Sequence, residues 1–412
     1  ENKVSKINNG VSPIFEKGLD ELLTNNRGKV RATSDLRRAI AETEVSFITV
    51  GTPFNGSEID LTYVIEASKQ IGAALRAKSG YHVIAVKSTV VPGTTDDVVL
   101  PLLEDSSGKK AGTDFGLGVN PEFLREGEAV EDFLHPDRIV VGGVDSRSID
   151  VLAGLYRNFG NAEIVKTNNK TAEMIKYAAN SLLASLISFS NEIANLCAAT
   201  GNVDVVDVMT GVHLDHRLSP IGPNGDRTLP KILEYIKAGC GYGGSCFPKD
   251  LRALIACGRK SNQPMPLLEA VVQVNETQPL RILSLLKKHI DPLKGARIAV
   301  LGLAFKPGTD DIRESPAIPI IKGLVSEEAD IVAYDPVASE AAAGMFAQSG
   351  VFFCRNLAEA IQNTEAVVLL TSWEEFKTIP CLLQHAEKQP LVIDGRRFLD
   401  KRSVARYAGI GL

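Results

Sequence analysis

Cysteine is scarce in this 412-residue chain, with six residues at positions 197, 240, 246, 257, 354 and 381. So few thiols, without paired spacing, exclude a disulfide framework and fit reduced side chains, so a cytoplasmic location is expected. No His or Cys cluster accompanies Cys240 and Cys246, and no metal site is expected. An excess of basic charge is also missing: 45 Lys and Arg stand against 50 Asp and Glu, a net charge of −5. That balance excludes general nucleic-acid or anionic-membrane binding and leaves room for a small anionic ligand met by local cations. No uninterrupted apolar run approaches the roughly 18 residues of a membrane span, and no signal-peptide pattern opens the chain. The first residue is Glu, and ENKVSKINNGVSPIFEKGLDELL reads as a loop and helix that ordinarily follow a strand. A preceding N-terminal piece is therefore expected.

Hydrophobic residues make up 44% and charged residues 23%, ordinary values for a chain long enough for two or three domains. Strand and helix patterns alternate. VSFITVGTPF (45–54), HVIAVKSTVVPGTT (82–95) and FGLGVNPEFLREG (115–127) read as strands, with LTYVIEASKQIGAALRAK (61–78) as a helix. Buried apolar strands alternating with amphipathic helices predict an α/β fold with a parallel doubly wound sheet, whose ligands gather at the carboxyl ends of the strands. From about residue 168 the pattern becomes a single long helix rich in Ala, Ser and Leu that ends at Gly201. Its sparse charge predicts burial of several faces, against its own domain or a second subunit. A helix over 266–290 leads into a second α/β stretch, with strands at 296–305, 329–336, 366–373 and 391–397. The turn GLAFKPG (302–308) stands where a dinucleotide fingerprint would stand but lacks its glycine spacing. Lys306, Arg313 and Arg396 instead bring cations to strand ends, a pattern suited to a nucleotide diphosphate.

Chemistry concentrates in a few stretches. GCGYGGSCFPKD (239–250) surrounds Cys246 with glycines and follows it with Lys249 and Asp250. Glycine admits close approach to the backbone, and a nearby cation favours a thiolate. Lys176 and Asn180, four residues apart, share a helix face among apolar neighbours and, with Asp250, suit a water or an oxyanion. Thr89 sits at a strand end, and Glu122 and Glu126 are candidate general bases.

NPEFLREGEAVEDFLHPDRIVVG (120–142) with GCGYGGSCFPKD closely resembles the UDP-glucose/GDP-mannose dehydrogenase family. VGTP (50–53), KST (87–89), EMIKYAAN (173–180), GLAFKPGTDDIRES (302–315) and DGRR (394–397) extend the resemblance over essentially the whole chain. It implies two Rossmann-like domains, an NAD-binding one over 1–164 and a UDP-sugar-binding one over 291–412. Between them it implies a helical dimerisation region over 165–290 carrying the cysteine loop. The implied activity is oxidation of a nucleotide-sugar C6 alcohol to the carboxylate by two NAD molecules, most similar to the branch acting on UDP-glucose. Cys246 is then the nucleophile of a thiohemiacetal and a thioester, with Lys176, Asn180 and Asp250 serving oxyanions and water, and Glu122 and Thr89 serving hydrolysis. The resemblance implies nucleotide-sugar contacts from Glu122, Phe123, Leu124, Arg125, Glu126, Lys176, Tyr235, Ile236, Lys237, Ala238, Gly239, Gly243, Lys306 and Arg396. Arg217 would reach the sugar nucleotide of a neighbouring subunit in a homodimer. NAD contacts fall to Thr52, Thr89, Glu126, Lys249 and Arg313. Alternatives are a GDP-mannose or UDP-N-acetylmannosamine substrate, a noncatalytic sugar-nucleotide binder, or a thiol oxidoreductase using Cys240 with Cys246.

Overall fold

A computed structural model of the protein describes residues 2–160, 162–384, 386 and 388–412. The chain forms two compact units, residues 1–180 with 249–264, and residues 181–248 with 265–412. In chain order the first part contains β1 (Val45–Ile48), α1 (Thr62–Leu75), β2 (Val83–Val86), α2 (Leu100–Ser107) and β3 (Gly116–Val119). Next come β4 (Arg138–Gly143), α3 (Ser146–Gly154) and β5 (Glu163–Thr167). Four long helices or helical segments then follow: α4 (Asn169–Thr200), α5 (Val205–His213), α6 (Phe247–Lys260) and α7 (Pro266–His289). The last part contains β6 (Arg297–Leu301), α8 (Ala317–Ser326), β7 (Asp330–Tyr334), β8 (Phe352–Phe353), β9 (Ala366–Leu369), β10 (Leu391–Asp394) and β11 (Tyr407–Gly409).

In the first unit the strands lie in the order β1-β2-β3-β4-β5. Val83–Val86 is buried at every residue, as expected of a β-branched run covered on both faces. Helix α1 starts where the Asp60 carboxylate accepts Thr62 N (2.8 Å) and Thr62 Oγ1 (2.6 Å). It packs closely on α2 at Gly72, where a Cβ would stand 2.6 Å from Ser106 Cβ. The first three strands are parallel, as the alternation predicts, but β4 runs antiparallel to β3. Its short pairing joins Gly118 to Gly143 and Val119 to Gly142. The backbones approach so closely that a Cβ on Gly118 would lie 2.5 Å from Gly142 O, so the glycines permit this reversal.

The second unit has a six-stranded sheet in the order β11-β10-β9-β6-β7-β8, parallel throughout. Read from β8, that is the 3-2-1-4-5-6 order of a doubly wound nucleotide-binding sheet, with its switch point between β6 and β9. A ligand crevice is expected beyond the carboxyl ends of those two strands.

Helix α4 has the length and mean hydropathy (1.3) of a membrane-crossing segment. It nonetheless buries Glu173, Lys176, Asn180 and Asn191 within the protein, the behaviour of a core helix. Leu182, Phe189 and Leu196, spaced by sevens, form an exposed apolar stripe along it.

Candidate active site

The carboxyl ends of β1 and β2 are tied by two hydroxyls. Thr52 Oγ1 donates to Thr89 O (2.8 Å), and Ser88 Oγ donates to Val50 O (2.7 Å). Beside them Gly51 faces open space, with no heavy atom within 4 Å of a Cβ placed there. From the end of β3, Glu122 accepts Leu124 N on Oε2 (2.6 Å) and Lys176 Nζ on Oε1 (3.0 Å). Lys176 is only 4% exposed. Its ammonium lies 5.4 Å from the centre of the Phe123 ring, against which the Arg138 guanidinium also packs (4.0 Å). One turn along α4, Asn180 Nδ2 donates to Asp250 Oδ2 (2.6 Å), while Lys249 Nζ donates to Oδ1 (2.5 Å). The fold thus brings Lys176 to Glu122, and Asn180 and Lys249 to Asp250.

Two ionisable residues escaped the sequence reading. Lys87 donates to Asn120 Oδ1 (2.9 Å). Burial pulls its pKa down to about 8, with Glu122 opposing the fall and Lys176 adding to it. The KST motif was visible, but nothing local marks its lysine as desolvated. Glu173, on α4, accepts Gly93 N (2.6 Å) and Thr95 N (2.9 Å), and burial raises its pKa to about 7. Among the described residues no group of three or more His, Cys, Asp or Glu could hold a metal ion.

In the second unit, three side-chain amides pin the cysteine loop. Asn191 Oδ1 accepts Gly239 N (2.7 Å), Gln278 Nε2 donates to Gly239 O (2.8 Å), and Asn275 brackets Tyr242 through its N (2.9 Å) and O (3.0 Å). The sequence reading assigned the loop glycines to ligand approach; the structure spends two of them on packing. A Cβ on Gly243 would lie 2.3 Å from Glu314 O, and one on Gly244, at φ +81°, 2.8 Å from the Phe305 ring. The spacing Gly239-x-Gly241-x-x-Gly244 matches a dinucleotide fingerprint, but no strand leads into it. Cys246 is exposed and immediately precedes α6, whose N-terminus favours negative charge. Cys240 is fully buried with Sγ 3.7 Å from Leu370 O, and burial raises its pKa. Thiols in such opposite environments do not form the exposed dithiol that a redox pair needs.

At the switch point, Asp335 Oδ2 accepts Leu303 N (2.7 Å), Ala304 N (3.1 Å) and Trp373 Nε1 (3.0 Å). The amides that would cradle a dinucleotide pyrophosphate after β6 are therefore already occupied by a carboxylate. Cations surround the same region. Arg396 donates through Nε to Leu370 O (2.6 Å) and through Nη1 to Gly241 O (2.9 Å), and Lys306 Nζ lies 5.9 Å from the Phe305 ring centre. Arg313 is paired with Asp311 through Nε and Nη2, both at 2.8 Å. Of the remaining predicted contacts, Ile236 and Ala238 are buried, Phe123, Leu124 and Glu126 are half-buried, and Tyr235 and Lys237 are exposed. Arg125 is exposed and paired with Asp132 (2.6 Å), and Arg217 is 81% exposed and paired with Asp215 (2.6 Å).

Two α/β modules, one in nucleotide-binding strand order, with an exposed thiol in a glycine loop and buried lysine–carboxylate pairs, define a nucleotide-dependent enzyme of the α/β class. Comparison with known proteins specifies which: the chain belongs to the UDP-glucose/GDP-mannose dehydrogenase family, whose NAD binding domain matches residues 1–160, central domain 170–277 and UDP binding domain 299–401. It is 42% identical over 416 residues to UDP-glucose 6-dehydrogenase AglM of Haloferax volcanii, covering 100% of this chain and 92% of that protein. GDP-mannose 6-dehydrogenase of Pseudomonas aeruginosa is 40% identical over 336 residues, covering 81% of this chain and 73% of that one. The structure of a UDP-glucose dehydrogenase from Pyrobaculum islandicum superimposes with a TM-score of 0.89 at 35% identity, covering 100% of this chain and 90% of that chain. The protein is an NAD-dependent oxidoreductase acting on a nucleotide sugar. The residues present fit NAD: open space at Gly51 and the Thr52 and Thr89 strand ends lie at the carboxyl edge of a parallel sheet.

Proposed function

We infer that the enzyme oxidises the C6 alcohol of UDP-glucose to the carboxylate of UDP-glucuronate. The observation that carries this reading is the pair of buried contacts on one face of α4, Lys176 with Glu122 and Asn180 with Asp250. UDP-glucose is favoured over GDP-mannose by the higher identity of the match to AglM, 42% against 40% for the GDP-mannose enzyme of Pseudomonas aeruginosa. NAD, when bound, accepts one hydride in each of two oxidations, so two molecules are reduced per sugar.

The protein residues handle protons, oxyanions and the covalent intermediate. The C6 hydroxyl loses its proton to a water held by Asn180 and Asp250, and with loss of hydride it becomes an aldehyde. The Cys246 thiolate adds to the carbonyl carbon, forming a C–S bond and an oxyanion that Lys176 and Asn180 stabilise by donation. Loss of a second hydride converts this thiohemiacetal to a thioester. Water then attacks the thioester carbon, Glu122 accepts its proton, the C–S bond breaks, and the carboxylate leaves with the thiolate regenerated. Thr89 orients the water. Thr52, Thr89, Glu126, Lys249 and Arg313 serve NAD. The residues flanking Glu122, the 235–239 stretch, Gly243, Lys306 and Arg396 serve the nucleotide sugar.

The functional assembly in this reading is a homodimer built on α4, supported by its exposed Leu182, Phe189 and Leu196 stripe, with Arg217 reaching a neighbouring subunit. Six free thiols support a reducing, cytoplasmic setting. The three-part division at residues 164/165 and 290/291 is kept as the functional partition. The test is NAD reduction with UDP-glucose, UDP-N-acetylmannosamine and GDP-mannose in parallel. Highest kcat/KM with UDP-glucose, with two NADH formed per sugar, is the expected result; preference for another sugar overturns the substrate assignment.

A further inference from the structure

One half-buried cation in the first unit has no part in the reaction as described. Lys87 directly follows β2, and its ammonium donates to Asn120 Oδ1 (2.9 Å). The same oxygen accepts the Tyr156 hydroxyl. Asn120 is fixed on its other sides as well, donating through Nδ2 to Val140 O (2.8 Å) and through N to Val86 O (3.0 Å). It is therefore locked to β2 and to β4. Pro121 follows, with a ring that fixes its φ, and Glu122 comes next. A shift of Asn120 thus passes to Glu122 across a single rigid residue.

Charge leads to the same place. Lys87 interacts electrostatically with both Glu122 and Lys176, so two ammonium groups act on one carboxylate. Taking an ammonium even partly out of water is costly, as its lowered pKa shows, and an apolar side chain of similar volume would fill the space more cheaply. Packing alone does not account for a lysine here; what it supplies is a directed charge and a donor at the root of the Glu122 strand end.

We propose that Lys87 is a positioning residue for thioester hydrolysis: through Asn120, and across Pro121, it fixes the Glu122 carboxylate against Lys176. The proposal rests on the reading of Glu122 as the base of that step.

The test compares native enzyme, Lys87→Met and Glu122→Gln, each with UDP-glucose and NAD. Steady-state kinetics are measured, and intact-mass spectrometry follows the adduct on Cys246. Lys87→Met is expected to lower kcat by about ten- to a hundredfold, as for a small displacement of a catalytic group, with the KM for UDP-glucose falling in parallel and kcat/KM unchanged, because only the breakdown of the covalent intermediate is slowed. It is also expected to accumulate the thioester. A native kcat, a rise in KM alone, or a lowered kcat without accumulated thioester overturns the proposal. If Glu122→Gln accumulates thioester and Lys87→Met does not, the Lys87 proposal alone fails. If Glu122→Gln also turns over without accumulation, the base assignment fails and takes the proposal with it. Should Lys87→Met not fold, as judged by circular dichroism, Lys87→Arg carries the test. Its planar fork cannot seat on Asn120 as a compact point donor, so slow thioester decay at unchanged kcat/KM is expected, and native decay overturns the proposal.

Discussion

Lys176 Nζ stands 3.0 Å from Glu122 Oε1, joining the N-terminal quarter of a long helix to the segment just after β3, 54 residues earlier in the chain. The ammonium is nearly sealed from solvent, so removing it leaves the Glu122 carboxylate without its cation and the oxyanions without a charged donor. Lys176→Ala is expected to lower kcat about a hundredfold or more, comparable to deleting one oxyanion donor. Stopped-flow measurement of both NADH-forming phases checks this, and a variant with native kcat removes Lys176 from the mechanism.

Cys246→Ser is expected to retain UDP-glucose and NAD binding by calorimetry, because the two side chains are nearly isosteric. Acid formation should fall by orders of magnitude, since a hydroxyl is a far weaker nucleophile than a thiolate at neutral pH. Acid formed at the native rate would make the thiol structural.

Gly243→Ala puts a methyl group 2.3 Å from Glu314 O, a backbone atom that cannot swing aside. Relief requires displacement of the cysteine loop or the 302–315 turn, at a cost of about 1–3 kcal/mol. A lower denaturation midpoint and altered reactivity of Cys246 toward a thiol reagent are expected; an unchanged midpoint would show that the loop gives way freely.

Glu173 makes a pH-dependent contribution. Its carboxyl titrates near 4.5 when unfolded and near 7 when folded, raised by burial despite bonds from Gly93 N and Thr95 N. The folded state therefore favours the protonated acid. The stability this confers is fully present below about pH 4.5 and is lost as pH rises through about 7, by at most about 3 kcal/mol. Urea midpoints measured across that window should decline with pH in the native protein and decline less in Glu173→Gln. Equal slopes in the two proteins would show that Glu173 is not the titrating group.

Phe189 is 51% exposed at the centre of the α4 stripe. A charge there should oppose burial against a second copy, so in the proposed dimer Phe189→Glu is expected to sediment as a monomer and the native protein as a dimer at the same concentration. Identical sedimentation of both proteins would place the dimer contact elsewhere.

Much of this molecule follows from local pattern. Helix α4 (169–200) was legible in 168–201 because uninterrupted helical periodicity ends at a glycine, and α7 was legible in 266–290 because its helical periodicity starts at a proline and runs to Ile290 just before Asp-Pro. The cores of seven strands were legible as short apolar runs closed by Gly, Pro or hydroxyl residues. Lys176 and Asn180 share a face simply because four residues make about one helical turn. Tertiary structure decided what depends on distant backbone. It set the reversed direction of β4, which requires glycines of two strands to meet at 118 and 142–143. It brought Glu314 and Phe305 against the cysteine-loop glycines, turning an expected ligand opening into a packed joint. It also half-buried Lys87 against a residue 33 positions away and buried Glu173 against one 80 positions away. Those two groups are shifted by desolvation, and desolvation depends on which segments cover a side chain, a property that no local run of residues encodes.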